Sequence, residues 1–158
     1  MSATLHLRPV TQEDSRLLWE WANDPVVRAV SFSTDVIPWD KHKQWLKRKL
    51  QDEHCRMYIA LNEENTPVGQ IRFDIREDNE AEVDVHLAPA LRGKGYGTVL
   101  ITEGLRAFFG SSDAQTVHSF IKEANLASRN VFLKAGFVEQ KKEHMHEQEV
   151  YHFTYKHS

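Results

Sequence analysis

The clearest pattern lies between residues 68 and 87, where apolar and polar side chains alternate twice. Ile71, Phe73 and Ile75 oppose Gln70, Arg72 and Asp74. After the turn Glu77-Asp78-Asn79, Val83, Val85 and Leu87 oppose Glu82, Asp84 and His86. A period of two marks half-buried strands, so residues 68–75 and 80–87 are predicted to form a hairpin. A helical period follows. Ile101, Leu105, Phe108 and Phe109 fall at i, i+4, i+7 and i+8, which predicts a helix packed on the sheet and ended by Gly110-Ser111-Ser112.

The same reading orders the rest of the chain. Leu5, Leu7 and Pro9 open an edge strand, and Thr11 to Asp14 start a helix with Leu17, Leu18 and Trp21 on one face, stopping before Pro25. Residues 23–38 are predicted to be loop, and Trp39-Asp40 opens a second helix with Trp45, Leu46 and Leu50 inward. Residues 57–61 read as a buried strand, 62–67 as a turn, 117–121 as a strand and 126–135 as a helix stopped by Gly136. Residues 137–142 and 150–155 read as a closing antiparallel pair. This order predicts an α/β (α+β) fold, a mixed, mostly antiparallel central sheet with helices on both faces. Strands 83–87 and 117–121 flank one crossover helix; if they are parallel and splay apart, a wedge opens between them.

Length and composition narrow the picture. The 158 residues predict one domain, 1–158, and 41% hydrophobic with 27% charged residues is a globular composition. No apolar run approaches the roughly 20 residues a membrane helix needs. The opening Met1-Ser2-Ala3-Thr4-Leu5-His6 lacks a basic-then-apolar signal, so a cytoplasmic location is expected. A net charge of -3 with interspersed signs argues against a nucleic-acid partner. The run Lys41, Lys43, Lys47, Arg48 and Lys49 reads as a wet helix face. Cys55, the single cysteine, reads as a small apolar residue at a strand start. His144, His146, His152 and His157 invite a metal reading, but no cysteine or spaced carboxylate set completes a site, and none is expected.

Candidate chemistry begins at Arg92-Gly93-Lys94-Gly95-Tyr96-Gly97 with Thr98, between the second hairpin strand and the helix. Glycines let the backbone approach an anion, and the N–H groups of the coming helix point at it. The pattern reads as a diphosphate cradle and suggests a coenzyme A site.

Together with Leu7-Arg8-Pro9, Val85-His86-Leu87-Ala88-Pro89, Asn125-Leu126-Ala127-Ser128 and Lys134-Ala135-Gly136-Phe137, that loop resembles the GNAT superfamily of acetyl-CoA-dependent N-acetyltransferases. The resemblance implies that the pantetheine arm pairs with the backbone of Val85, His86 and Leu87 as an added strand. It also implies that residues 92–97 hold the diphosphate, that Asn125 and Ser128 lie near coenzyme A, and that donors near Leu87 steady an oxyanion. Asn125 and Ser128 also read as helix caps. Many relatives carry a tyrosine four residues before the glycine of the Gly-Phe pair, implied to protonate the departing sulfur. Here it is Phe132, with Tyr96, Ser128 or a water as substitutes.

The N-terminal third resembles a narrower group. Trp19-Glu20-Trp21-Ala22-Asn23-Asp24-Pro25, Val27-Arg28, Ser31-Phe32 and Ile37-Pro38-Trp39, with His42 and Trp45, are similar to acetyltransferases of 4-amino sugars in nonulosonic acid pathways. The implied acceptor is a UDP-linked amino sugar, with Asn23, Arg28, Ser31, Trp39 and Arg72 as candidate substrate residues. Related patterns occur in enzymes acetylating protein N-termini and polyamines, so the acceptor class stays open. For the base, Glu82 comes first, acting through a water, with Asp84 and His86 as alternatives; all three also read as solvated strand positions. Arg72 equally reads as a plain salt-bridge partner and Asn23 as a helix cap. A protein amino-group acetyltransferase and a non-catalytic acyl-CoA sensor are the competing readings. Pairing of the C-terminal strands across a homodimer is left open.

Overall fold

The computed structural model describes residues 4–157. Met1, Ser2 and Ala3, on which the signal-peptide reading partly rested, lie outside the described residues. The period-two segments form β3 (Pro67–Ile75) and β4 (Ala81–Leu87), paired antiparallel from Gly69↔Leu87 to Ile75↔Ala81. With β1 (His6–Pro9), β2 (Cys55–Leu61), β5 (Thr116–Lys122), β6 (Val138–Glu139), β7 (Glu143–Met145) and β8 (Gln148–Lys156) they build one sheet. Its order is β1-β2-β3-β4-β5-β8-β6, and β7 also pairs with β8. Every pairing is antiparallel except β4 with β5.

Helices cover both faces, as the order of elements predicts. α4 (Tyr96–Ser111) packs Leu100, Ile101, Leu105 and Phe108 on Ile71 and Phe73 of β3 and Val117 of β5. Phe73 and Phe108 stack at 4.5 Å, and each fully buried side chain of this size contributes roughly 1.5–3 kcal/mol. On the other face α1 (Ser15–Ala22) and α3 (Trp39–Gln51) bring Leu18, Trp21 and Leu46 onto Met57 and Ile59 of β2. A 3-10 turn (Gln12–Asp14) leads into α1. Asp14 accepts the Thr11 N–H at 2.8 Å and takes Arg8 in a two-pronged pair at 2.8 Å each, tying the strand to the helix.

Several boundaries depart from expectation. Residues 25–30, predicted to be loop, form helix α2 (Pro25–Val30): Pro25 sits in its first turn and Asp24 caps it by accepting from Val26 and Val27 N–H. A proline ends one helix and pre-sets the first turn of the next. On α3 the inward residues are His42 and Leu46, four apart, while Leu50 is exposed. Gly110 lies inside α4, which runs to Ser111. In the predicted C-terminal pair only Val138 and Glu139 form a ladder with β8, extended by the Gln140 N–H donating to the His152 carbonyl at 2.7 Å. β7 then forms a hairpin with β8 through His146 and Glu147, both at positive φ. α5 (Leu126–Lys134) ends before Gly136, whose φ of 99° closes the helix.

Candidate active site

β4 and β5 touch only at Ala81↔Val117 and Glu82↔His118. From residue 83 to 87, β4 keeps β3 as its strand partner while β5 turns toward β8. The predicted wedge is therefore open, and a cavity of about 650 Å³ lies at it. Val83, Asp84, Val85 and His86 form one wall and Ser119, Phe120, Ile121 and Lys122 another. α3 and the segment after α2 close the remaining sides.

The polar stripe of β3 and β4 faces this space, because antiparallel partners share a face: Gln70 pairs with His86 and Arg72 with Asp84. The two α-helices on that face leave the stripe little contact with water. Gln70, on the polar side of the alternation, is buried, and Arg72 beside it is half-buried. Asp84 Oδ2 lies 3.3 Å from the Gln70 amide, 3.6 Å from His86 Nε2 and 3.8 Å from Arg72. Desolvation opposes its charge, yet His86, Arg72 and the Gln70 hydrogen bond hold Asp84 below the usual carboxylate range. Arg72 also pairs with Asp74 at 2.9 Å, and its guanidinium lies 5.1 Å over the Trp45 ring.

The cavity wall is cationic. Arg28, Lys41, Arg48, Arg72 and Lys122 line it, against the single carboxylate of Asp84. Lys41 and Arg48 come from the run read as a wet helix face. Seven residues apart, they share one side of α3 about 10.5 Å apart along the axis. Arg28 donates to the carbonyls of Ala22, Ser33 and Asp35 and to Ser31 Oγ, and Lys122 donates to the Ser31 carbonyl at 2.9 Å. Those two cations thus shape the loop after α2 and meet no carboxylate in doing so.

The glycine loop stands apart from the cavity. Gly93 and Gly95 adopt φ of 75° and 84°, and a Cβ at either would meet nothing within 4 Å. Gly95 is the N-cap of α4 and offers no side chain to its first-turn N–H groups. Left-handed backbone, open space and uncapped donors are the properties a diphosphate needs, so these residues fit the group expected there. Gly97 is inside the helix, where a Cβ would lie 3.0 Å from Val131. Lys94 is exposed, and the Thr98 carbonyl accepts from Thr102.

The structure brings Asp84, Val85, His86, Asn125, Ser128 and Phe132 to the cavity, with Arg28, Ser31 and Arg72. Asn125 also caps α5 by accepting Ser128 N–H at 3.2 Å. Phe132 is buried edge-to-face on Phe137. Other candidates lie off the wall. Glu82 stands two residues from Asp84 on the same face, 3.9 Å from Arg76. Leu87 packs into the α4 core, as does Tyr96. Arg92 is ion-paired with Asp24 at 2.9 Å. Asn23 exchanges two hydrogen bonds with the Ile37 backbone, and Trp39 packs edge-on against Trp19 while Trp45 lines the cavity instead. His42, Gln70, Lys41, Arg48 and Lys122 were not singled out as site residues. Only their side of a helix or strand marked them, and the partners that cover that side are distant in sequence. Burial and Asp74 push the Cys55 thiol up to about 11, far from nucleophilic. Among the described residues no group of three or more His, Cys, Asp or Glu is arranged to hold a metal, and no helix is long and apolar enough to cross a membrane.

Comparison with known proteins agrees with this geometry. Residues 4–138 match the acetyltransferase (GNAT) domain family. The Bacillus subtilis (strain 168) protein YwnH, which carries a provisional name as a phosphinothricin acetyltransferase, is 27% identical over 117 residues, 71% of this chain and 70% of its own. The spermidine N-acetyltransferase of Vibrio cholerae, crystallised with CoA and spermine, superposes with a TM-score of 0.87 at 19% identity, covering 96% of this chain and 95% of that one. The aminoglycoside acetyltransferase AAC(6')-Ib in complex with coenzyme A gives 0.84 at 20% identity, covering 97% and 95%. The open β4–β5 wedge, the glycine loop ahead of α4 and the domain match over most of its length place this chain in the GNAT family, as an N-acetyltransferase.

Proposed function

We propose that the protein transfers the acetyl group of acetyl-CoA, by direct attack, to a primary amine on an anionic acceptor of the nucleotide-linked amino-sugar class. The observation that carries this reading is the cavity's charge: five Lys or Arg residues against one carboxylate. Such a wall attracts phosphate and repels a polycation. The relatives crystallised with spermine or aminoglycosides take cationic acceptors, so the charge of this cavity argues for a different acceptor on the same fold.

When bound, acetyl-CoA supplies a thioester carbonyl and a thiolate leaving group. The residues of this chain do the rest. Gly93, Gly95 and the first turn of α4 grip the diphosphate, aided by Arg92 once it leaves Asp24, with Lys94 and Thr98 at the loop's rim. The free edge of β4 at Val85, His86 and Leu87 offers backbone groups to the pantetheine arm. Asp84, kept ionised, steadies the ammonium form of the acceptor, and His86 beside it takes the proton. A carboxylate held below its usual range is the weaker base of the two. Glu82 lies one strand repeat away, about 6.8 Å along the chain, within reach of a relayed water. Phe132 donates no proton; Ser128, on the same wall, or a water serves the departing sulfur, whose ordinary thiol pKa near 8.5 makes modest demands.

The test is charge reversal on α3, away from the donor loop. In Lys41→Glu/Arg48→Glu, the KM for a UDP-linked 4-amino sugar is expected to rise about tenfold, the order of 1.4 kcal/mol, and the KM for acetyl-CoA to change by less than about twofold. An unchanged acceptor KM, or a gain confined to acetyl-CoA, overturns the anionic-acceptor reading.

A further inference from the structure

Two residues that line the cavity each carry an atom that departs from the rule that buried polar groups are satisfied. Gln70 is 3% exposed and His42 4% exposed, and each lines the cavity. Oε1 of Gln70 and Nε2 of His42 are buried without a hydrogen-bond partner.

Both orphan atoms can pair with a hydroxyl group. The Gln70 amide nitrogen donates to Asp84 Oδ2 at 3.3 Å, and a flipped amide would set its oxygen against a carboxylate. The carbonyl oxygen is therefore the bare atom. Burial holds the His42 imidazole toward its neutral form, against the pull of a hydrogen bond to the Ser15 backbone. A neutral ring has one N–H and one lone pair, and Nε2 can present either to a hydroxyl, which both donates and accepts. The ring is fixed between Trp39 and Trp45, at 6.4 and 5.5 Å. Gln70 sits directly across from His86, beside the groups assigned to proton transfer.

We infer that Gln70 and His42 are specificity-determining residues, hydrogen-bonding hydroxyl groups of the acceptor, so that the site takes a hydroxylated, sugar-like amine in preference to an alkyl amine. This rests on the anionic-acceptor reading above and sharpens it. The cations recognise the phosphate end; the two unpaired polar atoms recognise the ring that bears the amine. A site with unpaired buried polar atoms discriminates strongly, because an analogue without the hydroxyl leaves them unpaired.

The test uses two probes of equal charge, an amino-sugar phosphate and an aminoalkyl phosphate without hydroxyls. Turnover is read as the ratio of their kcat/KM values, and affinity by calorimetry on CoA-loaded protein. In Gln70→Met and His42→Phe the preference for the sugar probe, in both readouts, is expected to fall by about tenfold or more. His42→Gln restores a polar group of similar reach that can donate or accept, and is expected to stay nearer the wild type, which separates the lost hydrogen bond from lost packing. A preference unchanged within about twofold, or a wild type that shows no preference, overturns the inference while leaving the anionic acceptor intact. A wild type that acetylates neither probe but does acetylate spermidine overturns both.

Discussion

Arg92 and Asp24 meet at 2.9 Å across the molecule, joining the head of the glycine loop to the N-cap of α2. Asp24 Oδ2 also accepts the N–H groups of Val26 and Val27. One carboxylate thus serves both the acceptor-side helix and the arginine assigned to the donor's diphosphate.

That sharing predicts opposite effects of two substitutions. Arg92→Ala is expected to weaken acetyl-CoA binding by about tenfold or more, since hydrogen bonds to charged groups are worth ~1.5–3 kcal/mol. Asp24→Asn keeps a capping side chain but frees the guanidinium, and is expected to tighten binding a few-fold. Calorimetric titration of acetyl-CoA reads both. Weaker binding in Asp24→Asn would mean that the carboxylate positions Arg92 instead of competing for it.

Two glycines near the site should fail for different reasons. Gly95→Ala faces a backbone φ of 84° but open space, so it is expected to cost ~1–2 kcal/mol in stability and to weaken donor binding as the new methyl enters the cradle. At Gly69 a Cβ would lie 2.6 Å from the His86 carbonyl oxygen. Gly69→Ala is therefore expected to push β3 and β4 apart beside the cavity, costing ~1–3 kcal/mol as overpacking does. Denaturant unfolding measures the stability terms; the acetyl-CoA Kd should move more in Gly95→Ala than in Gly69→Ala.

Acid should destabilise the protein in two steps. Burial depresses the pKa of His42, and burial also depresses that of His152 despite Glu143. A depressed folded pKa means that the unfolded chain binds more protons, so this stability is complete above pH ~6.5 and is lost as the pH falls through the folded values. Against desolvation, Arg8 holds Asp14 low, Arg72 and Lys49 hold Asp74 low, and His86 and Arg72 hold Asp84 low. Their contribution has the same sign in a lower window: complete above pH ~3.9 and lost below it. Urea midpoints measured from pH 8 to pH 3 should fall in both windows. A midpoint flat from pH 8 to pH 5 would contradict the roles of His42 and His152.

The hairpin of β3 and β4, the crossover helix and the opening wedge were legible because strand and helix periods are written locally in Ile71 to Leu87 and Ile101 to Phe109. Strand order at the C-terminus was not, because the insertion of β8 between β5 and β6 depends on pairing across distant segments. α2 was hidden by reading Pro25 only as a stop. The glycine loop and the Asp84–His86 side of β4 could be found from sequence, since motif and alternation mark them. The cationic wall could not: Lys41 and Arg48 look like any solvated helix face until α3 is laid over the sheet. Trp39 and Trp45 likewise exchange roles only because α3 turns His42 and Leu46 inward.

The most direct test is a steady-state competition: thiol release from acetyl-CoA with a UDP-linked 4-amino sugar and with spermidine as alternative acceptors, at low salt. The cationic cavity predicts a kcat/KM for the sugar higher on the order of a hundredfold, since like-charge contacts cost several kcal/mol, with the preference shrinking as salt screens the wall. Equal or better turnover of spermidine would contradict the account.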